Sequence, residues 1–380
     1  MNGDYCNHEI GINGLPGCFL PVECPNLFKM KTTKYAAFQL SGKKLQLEER
    51  KLPELKDSEI LVKIMYTTLC RSDLYTYKGL RQEKAPTILG HEIVGQIVDF
   101  GPDAIRSDLR GTELKIGDRI TWAIFASNPD DPNSKKGIPQ KAKDIFKYGH
   151  EQITEDSNFH GGLSQFIILR KFTPVICLKQ SVPDSVAALI NCSVATIAGA
   201  IRLAGDFRNK NVLISGTGML GIVACAMASK GGAASVSALD IDSNRLEISK
   251  LFGANEIGLS VNDFTKKFDV IIETSGFPDV MMNTIKQIGI GGTAVWLGAV
   301  FSQRDLHINA EFIVRNLVTI KGLHNYNEID LVSAVDFIEQ YHHSFDFELL
   351  ICGDFNLDQV NDAFEYALNQ NPFRVGIQIK

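Results

Sequence analysis

The sequence predicts an α/β protein in which a doubly wound parallel sheet is inserted between two segments of a β-rich domain. Between residues 211 and 318, short apolar runs alternate with helix-like stretches, as is typical of a parallel sheet covered by helices on both faces. Residues 35–69 instead follow the period and turn signals of β-strands. A final strand-like run at 374–379 follows two helical stretches and returns the chain to the β-rich domain.

The composition restricts the classes of partner. The chain has 380 residues, which predicts one large or two medium domains, and its 44% hydrophobic and 22% charged residues are ordinary for a globular protein. The net charge of −5 and the lack of a basic block argue against a nucleic-acid partner. No apolar run reaches the roughly 18 residues of a membrane-spanning helix, so no membrane partner is expected.

The eight cysteines are scattered along the chain, which favours reduced thiols and a cytoplasmic location over a disulfide framework. Residues 1–30 are rich in Gly and Pro and lack the basic and apolar regions of a signal peptide, so we expect an irregular N-terminal extension. Two alternatives stay open for this segment. Either Met30 is the true start of the protein, or Cys6, Cys18 and Cys24 form a metal or redox arm.

The individual elements are predicted in order from apolar periods and turn residues. In the β-rich part, strands are expected at 35–38, 59–64, 92–98, 119–122 and 163–169, with helices between 183 and 205. In the second part, strands are expected at 212–215, 235–239, 270–274, 293–297 and 318–320, followed by helices at 328–341 and 357–369. A helix at 243–252 is expected to be capped by Ser243 and ended by Gly253.

A glycine-rich turn follows the apolar run at 212–214 and reads Gly216-Thr217-Gly218-Met219-Leu220-Gly221. The first glycine permits a tight turn, the second lets a pyrophosphate approach the backbone, and the third allows helix and strand to pack closely. The helix that begins here offers free N–H groups to the anion. Because Asp240 ends the next strand at the expected distance, we predict a dinucleotide site. The alternative is a plain packing turn between strand and helix.

Three residues that lie far apart in the chain are candidates for a metal site. Cys70 ends one apolar strand, His91 opens another apolar segment, and Cys192 precedes the dinucleotide-binding part. Two thiolates and one imidazole would neutralise Zn²⁺ and leave a fourth position open, which is the pattern of a catalytic zinc. From spacing alone, a structural histidine and a buried core cysteine remain open as alternatives.

Together these segments resemble the zinc-dependent medium-chain alcohol dehydrogenase superfamily over residues 35–380. The motifs that carry the resemblance are Cys70-Arg71-Ser72-Asp73, Gly90-His91-Glu92 with Gly95, Gly117-Asp118-Arg119, the glycine turn with Asp240, and Arg374. The resemblance implies a GroES-like catalytic domain at 31–194 and 322–380, with a Rossmann-fold coenzyme domain at 195–321. The runs at 146–151 and 161–163 further resemble dehydrogenases associated with phosphonate catabolism and some cyclitol dehydrogenases, so a polyol, cyclitol or hydroxyphosphonate substrate is expected.

The resemblance also implies roles for named residues. Cys70, His91 and Cys192 match the catalytic zinc ligands, and Glu92 matches a carboxylate that in some members swings in as a further ligand. Asp73 matches the acid that orients the histidine. Ser72 matches the hydroxyl that takes the proton from the zinc-bound alcohol, so that hydride can pass to the nicotinamide.

The cofactor residues are assigned in the same way. Asp240 matches the acid that binds both ribose hydroxyls, and Arg245 matches a basic residue beside the adenosine. Arg71 and Arg374 match the cationic contacts to the pyrophosphate. Because Asp240 would repel a 2′-phosphate, NAD is expected in preference to NADP. The residues expected to bind the cofactor are therefore Gly216, Gly218, Met219, Leu220, Gly221, Asp240, Arg245, Arg71 and Arg374.

The sequence departs from the family at two sites that bear on chemistry. The four cysteines of the family's structural zinc are replaced by Asn128, Asp131, Ser134 and Ala142, so one catalytic zinc and no structural zinc are expected. Tyr75 stands where many members have a proton-relay histidine. A phenol has an ordinary pKa of about 10 and is a poor base at neutral pH, which leaves the exit route of the proton open.

Three residues near the substrate side keep two interpretations each. His150 and Glu151 either line the substrate pocket or form a loop pair without a ligand. Lys147 either attracts an anionic substrate, such as a phosphonate or phosphate ester, or is a solvated loop lysine.

The main hypothesis is an NAD-linked zinc alcohol dehydrogenase acting on a small-molecule substrate. A non-catalytic dinucleotide-binding relative and a zinc-free reductase of the same superfamily are the alternatives. By likeness to the family, a homodimer or homotetramer is expected, with the strand at 293–300 as the candidate contact.

Overall fold

The computed structural model describes residues 32–38, 45–155 and 157–380. The predicted extension at 1–30, with its three cysteines, lies outside the described residues. Within them, the chain forms the two expected parts, a β-rich domain and a parallel sheet covered by helices, so the predicted α/β fold class is confirmed.

The β-rich part contains ten N-terminal strands and two C-terminal strands. The strands are β1 (Thr32–Phe38), β2 (Leu45–Lys51), β3 (Ile60–Leu69), β4 (Thr87–Ile88), β5 (Glu92–Phe100), β6 (Arg119–Trp122), β7 (Phe125–Ala126), β8 (Phe146–Lys147), β9 (Phe166–Leu169) and β10 (Val175–Cys177). The short helices here are α1 (Arg71–Tyr77), α2 (Pro132–Lys135) and α3 (Asp184–Ala187).

The inserted part is a sheet of six parallel strands with helices on both faces. Its strands are β11 (Asn211–Ser215), β12 (Ser235–Leu239), β13 (Glu256–Gly258), β14 (Phe268–Glu273), β15 (Ile288–Trp296) and β16 (Thr319–Gly322), in the spatial order β13-β12-β11-β14-β15-β16. Its helices are α4 (Ala195–Ala204), α5 (Met219–Lys230), α6 (Ser243–Leu251), α7 (Pro278–Ile285) and α8 (Ala310–Arg315). Val212 and Ile214 belong to the core on one face and Leu213 to the core on the other, because side chains alternate along a strand.

The C-terminal segment completes the first sheet. It consists of α9 (Glu328–Tyr341), β17 (Ile351–Asn356), α10 (Val360–Gln370) and β18 (Arg374–Gln378). Strand β18 pairs antiparallel with β3, which also pairs with β5 and β9, so β3 is the central strand around which the site is built. The end of β3 and the start of β5 meet through the pairing of Thr68 with Glu92.

Several predicted elements have the observed bounds, and a few details differ. Strands β6 and β12 and helix α9 begin and end where the sequence predicted them. The strands that were not predicted are β4, β7, β8, β10, β13 and β17. The predicted cap of α6 was wrong: Asp242, whose backbone is extended, accepts hydrogen bonds from the N–H groups of Asn244 and Arg245, so Ser243 is the first helical residue.

One helical stretch among the described residues, Asp184–Ala204, is long and apolar enough to cross a membrane by length and composition alone. The sequence analysis predicted helices between 183 and 205 but no membrane-spanning run, because Asn191, Ser193 and Thr196 interrupt the apolar residues. Its most apolar window is 72% buried inside the fold, where α4 packs against α5 and α9. The stretch is therefore explained as the core helix of the protein.

A network of hydrogen bonds holds the loop at 128–143. This is the loop in which the resemblance implied four replaced cysteines. The Asp131 carboxylate accepts hydrogen bonds from the backbone N–H groups of Asn133, Ser134 and Lys143 at 2.7, 3.4 and 3.1 Å. The Asn133 side-chain amide donates to the Lys141 carbonyl at 2.7 Å. One carboxylate therefore joins the two ends of the loop, and the backbone donors, Lys143 first, lower its pKa.

Replacing Asp131 with Ala is expected to speed hydrogen exchange at the amides of 133, 134 and 143, because each loses its acceptor. Since the pKa of Asp131 is lowered in the folded state, the protection is complete above its ordinary value of 3.8 and is lost as the pH falls through the lower folded value. Exchange followed by mass spectrometry measures the effect. Asp130→Ala, which removes an exposed acid paired with Lys135, is the control; equal acceleration in both variants would contradict the assignment.

Candidate active site

The three predicted metal ligands converge in the structure. Cys70 follows β3 and caps α1, His91 directly precedes β5, and Cys192 lies in a π-helical turn before α4. Their ligand atoms, two sulfurs and one imidazole nitrogen, all lie within 4.8 Å of one another. Antiparallel pairing of β3 with β5 brings the first two together, and the π-turn presents the third.

The π-helical turn Ile190–Val194 has a specific support for its backbone. The Tyr326 hydroxyl donates a hydrogen bond to the Asn191 carbonyl and accepts one from the N–H of Ile124 at 3.1 Å. Tyr326 is fully buried, so the phenol holds both segments without water. A turn widened in this way is often found at functional sites, and here it positions Cys192.

The donor set fits a zinc ion. Two sulfurs and one nitrogen are ligands that Zn²⁺ prefers, with three protein ligands leaving a fourth position open. The pKa of the Cys70 thiol is lowered, first by its hydrogen bond with Cys192 and then, against burial, by Arg374 and His91. The contact with Cys70 and burial raise the pKa of Cys192. Two thiols this close therefore cannot both ionise easily unless a cation lies between them.

Asp73 organises the two strand ends that carry ligands. Its carboxylate accepts hydrogen bonds from the N–H groups of Cys70 at 2.9 Å and Gly90 at 3.1 Å, and it is fully buried. One of its oxygens also lies 3.4 Å from Nδ1 of His91, an ion-pair distance without hydrogen-bond geometry. Burial opposes a charge on His91, but Asp73 and Cys70 raise its pKa above the ordinary value. With Nδ1 facing Asp73, Nε2 is the nitrogen available to a metal.

Glu92 and Arg374 form a buried ion pair next to the cluster. The guanidinium donates from Nε and Nη2 to the carboxylate at 2.6 and 2.8 Å, and also to the Ser193 hydroxyl at 2.8 Å. Its Nη2 lies 3.7 Å from the sulfur of Cys70. Glu92 is thus held by Arg374 and Thr68 and is not among the three residues of the cluster, so its role as a further ligand stays a prediction.

Arg374 was expected to contact the pyrophosphate. Its guanidinium is 6% exposed and is committed to Glu92, Ser193 and the Phe373 carbonyl, although the side chain also reaches the wall of the cavity. The contact with a pyrophosphate therefore stays a prediction, and the structure adds a role that the sequence did not suggest. A tertiary ion pair between residues so distant in the chain leaves no local pattern.

Ser72 and Tyr75 lie on the first helix, beside the cluster. The Ser72 hydroxyl is 3.5 Å from Nε2 of His91 and therefore lies next to the nitrogen that faces the metal position. Tyr75 packs edge-on against Phe301, with ring centroids 4.8 Å apart, and lines the cavity. Tyr75 lines both the cavity of the cluster and the cavity of the glycine turn.

The glycine turn has the geometry that its sequence predicted. Gly216 has a φ of 86°, and helix α5 begins at Met219 with Gly218 as its cap. A Cβ on Gly221 would lie 1.8 Å from the carbonyl oxygen of Gly216, whereas a Cβ on Gly218 would meet nothing nearer than 3.9 Å. The third glycine is therefore needed for packing, and the second leaves open space over the helix N-terminus.

Asp240 lies across from the glycine turn. Its carboxylate accepts hydrogen bonds from the N–H and hydroxyl of Thr217 at 2.6 and 2.9 Å and from the N–H of Asp242 at 3.0 Å. The predicted cations are nearby: Arg71 donates to the Asn371 side chain at 2.9 Å, and Arg245 donates to the Asn371 carbonyl at 3.0 Å. Sequence reasoning missed Thr217 and Asn371, which connect the predicted residues.

Two adjoining cavities of about 560 and 580 Å³ join these features. The first is lined by the glycine turn, Asp240 and Arg245, and the second by the cysteine–histidine cluster, Met219 and Leu220. They share Arg71, Tyr75, Gly218, Thr274, Ser275 and Phe277. A dinucleotide in the first cavity would therefore extend toward the metal position in the second.

Comparison with known proteins gives matches over most of the chain. Residues 56–177 match the alcohol dehydrogenase GroES-like domain, and residues 220–340 match the zinc-binding dehydrogenase family. The relatives include sorbitol dehydrogenase of Bacillus subtilis, 27% identical over 88% of this chain and 93% of that protein. They also include L-threonine 3-dehydrogenase of Pseudoalteromonas translucida, 23% identical over 83% of this chain and 91% of that protein.

A solved structure shows the same fold. The alcohol dehydrogenase of Thermotoga maritima superimposes with a TM-score of 0.85 at 22% identity, covering 92% of this chain and all of that one. At this level of identity the likeness concerns the fold.

Replacing Arg374 with Met is expected to lower the free energy of unfolding by about 3–5 kcal/mol, because the Glu92 carboxylate is left buried without its partner. Urea unfolding followed by circular dichroism measures the change. Arg208→Met removes an exposed pair with Asp206 and is the control, expected to leave the midpoint unchanged. Similar midpoints for the two variants would show that the buried pair does not support the fold.

Proposed function

The chain belongs to the zinc-type medium-chain alcohol dehydrogenase family, and on that basis we propose that it transfers hydride reversibly between an alcohol and NAD in a zinc-dependent reaction. One observation carries the proposal: the cysteine–histidine cluster and the glycine turn open into adjoining cavities. A non-catalytic relative would have no need to keep a zinc-type donor set at the end of a dinucleotide site.

The catalytic roles follow from the positions of the side chains. Cys70, His91 and Cys192 would hold the zinc ion, which when bound supplies a Lewis acid that lowers the pKa of a coordinated alcohol and stabilises the alkoxide. Ser72, beside Nε2 of His91, receives the alcohol proton. Asp73 fixes the orientation of the His91 ring. Tyr75 lines the same cavity, and its hydroxyl, which can both accept and donate, is the candidate for the next step of the proton path.

The preference for NAD rests on Asp240. A carboxylate offers about four lone-pair directions, and three hydrogen bonds from the chain use part of this capacity, leaving room for a ribose hydroxyl. A 2′-phosphate at the same place would bring two anions together. Arg245 lines the same cavity, and its guanidinium is occupied by Asp242 and Asn371.

The substrate belongs to the small-molecule alcohols, with polyols, cyclitols and hydroxyphosphonates as the finer proposal. The sorbitol dehydrogenase among the relatives supports the polyol part. An NADH-fluorescence screen over these classes is the direct test, with oxidation and reduction both measured.

Domain bounds, location and assembly stay predictions. We propose the catalytic domain at 31–194 and 322–380, the coenzyme domain at 195–321, a cytoplasmic location and a homodimer or homotetramer. The predicted contact strand at 293–300 overlaps β15, which lies between β14 and β16 and is therefore not an edge strand. The edge strands of the parallel sheet are β13 (Glu256–Gly258) and β16 (Thr319–Gly322), and β16 is the one beside the predicted strand. Edge-to-edge joining of two sheets at this side would therefore use β16.

Cys70→Ala or His91→Ala is expected to lower kcat/KM at least about a thousandfold, because a catalytic metal supplies several kcal/mol of stabilisation to the transition state. Elemental analysis should find about one zinc per wild-type chain and less in these variants. NADH binding, measured by fluorescence, should survive.

Cys177→Ser, which changes a cysteine outside the cluster, is the matched control and should keep zinc and turnover. Wild-type protein without zinc would favour the non-catalytic or zinc-free alternatives. Normal rates in either ligand variant would refute the mechanism.

Asp240→Asn is expected to lower the preference for NAD over NADP, as a ratio of kcat/KM values, by about tenfold or more, because the repulsion of the 2′-phosphate is removed. Asparagine keeps an acceptor for Thr217, so the glycine turn stays supported. Asp269→Asn is the control, because Asp269 lies near the start of β14, whereas Asp240 follows the end of the parallel strand β12. An unchanged ratio in Asp240→Asn would refute the assignment of NAD.

A further inference from the structure

The cavity beside the metal position has a basic inner wall. Arg81, Lys147, His150 and His324 line the same cavity as the cysteine–histidine cluster. The His150 ring lies 5.2 Å from the ring of His91, between centroids, so this wall begins next to a metal ligand. The net charge of the chain is −5, so the concentration of basic side chains is a local property.

Internal partners satisfy part of this charge. Glu83 lies 2.7 Å from Nε of Arg81 and 3.0 Å from Nδ1 of His150, so one carboxylate serves both. Lys141 donates to Nδ1 of His324 at 2.7 Å. Burial, followed by Lys141 and Lys147, lowers the pKa of His324 to about 4, so this imidazole is neutral and carries its proton on Nε2. It therefore adds a donor and no counter-charge.

Glu83 and Glu151 attract the ammonium of Lys147 through space, but neither carboxylate lies within ion-pair distance of it. Among the described residues, it makes no hydrogen bond or ion pair through its side chain, and only its backbone N–H reaches Glu151, at 3.4 Å. The other oxygen of Glu151 lies 4.0 Å from Nζ of Lys84. Burial, then Lys141 and Arg81, lowers the pKa of Lys147, and Glu83 and Glu151 oppose this shift only in part. A cation that is partly desolvated and lies beside other cations destabilises the empty cavity, and a bound anion would offset this cost.

We propose that the substrate is an alcohol bearing an anionic group, a phosphate, phosphonate or carboxylate, that binds to Lys147 while the hydroxyl lies at the metal position. Arg81 and Lys141 supply the surrounding positive field, and Nε2–H of His324 is a second donor to the anion. This inference rests on the proposed dehydrogenase function and narrows its substrate class. It requires the alcohol and the anion on one small molecule, since both positions line a single cavity of about 580 Å³.

The test uses pairs of alcohols that differ in the anionic group. Glycerol is compared with glycerol 1-phosphate, 1,2-propanediol with 2-hydroxypropylphosphonate, and 1,3-butanediol with 3-hydroxybutyrate, with the zinc-loaded protein and NAD. We expect kcat/KM to be at least about tenfold higher for one or more anionic members, because a charge-assisted contact is lost in the neutral one. The three pairs distinguish a phosphoryl or phosphonyl group from a carboxylate.

Lys147→Gln should lower the ratio of kcat/KM for the preferred anionic alcohol to that for its neutral partner by about tenfold or more. Lys136→Gln removes the same charge from an exposed position outside the cavity and should leave the ratio unchanged. Turnover that favours neutral alcohols, or an equal change in both variants, overturns the inference while the dehydrogenase function stands.

A binding measurement decides the inference even if no alcohol is turned over. Calorimetric titration with inorganic phosphate should show binding that Lys147→Gln weakens at least about tenfold. Arg245→Gln, which changes a residue that lines the dinucleotide cavity and not the cavity of the cluster, reports on phosphate bound in the dinucleotide site instead. Phosphate binding that depends on Arg245 and not on Lys147 would overturn the inference. Absence of turnover with every alcohol would refute the proposed function separately.

Discussion

The buried ion pair between Glu92 and Arg374 is the constraint on which the site depends. Glu92 directly follows one predicted metal ligand, Ser193 follows another, and the guanidinium contacts both and lies 3.7 Å from the sulfur of Cys70. A single pair of charges therefore connects the surroundings of all three ligands, which come from β3, β5 and the π-turn. Because breaking a buried ion pair is strongly destabilising, the pair supports the backbone around the three predicted ligands.

The second requirement is that two separately built sites open toward each other. The cluster depends on antiparallel pairing in the β-rich sheet, and the glycine turn depends on a parallel strand and the helix after it. Arg71 belongs to the first part and Asn371 to the C-terminal segment, and their hydrogen bond closes the edge of the dinucleotide cavity, where Arg245 from the inserted sheet joins them. The same contacts that bring the parts together thus also shape the place where a cofactor would lie.

Local patterns explain how much of this arrangement could be predicted from the sequence. The glycine turn and the apolar runs are local patterns, so the parallel sheet and the position of the turn at the end of a strand could be predicted from the sequence. The cap of α6 was misplaced by one residue because Asp242 and Ser243 are both good caps. Convergence of Cys70 with Cys192 came from family resemblance, since spacing alone cannot show it. The partner of Arg374 depends on tertiary packing and has no local signature.

The charges at the reacting centre balance without the basic wall, so the wall is not needed for the hydride transfer itself. Two thiolates would neutralise a divalent ion held by the cluster. The negative charge of an alkoxide would be balanced by the positive nicotinamide ring of the oxidised cofactor. Hydride transfer therefore requires no further cation, and Glu83 already balances Arg81. Lys147 has no ion pair among the described residues, and Glu83 and Glu151 attract it only at longer range. A ligand anion would give this ammonium a direct partner, which is why we propose this wall as the determinant of substrate specificity.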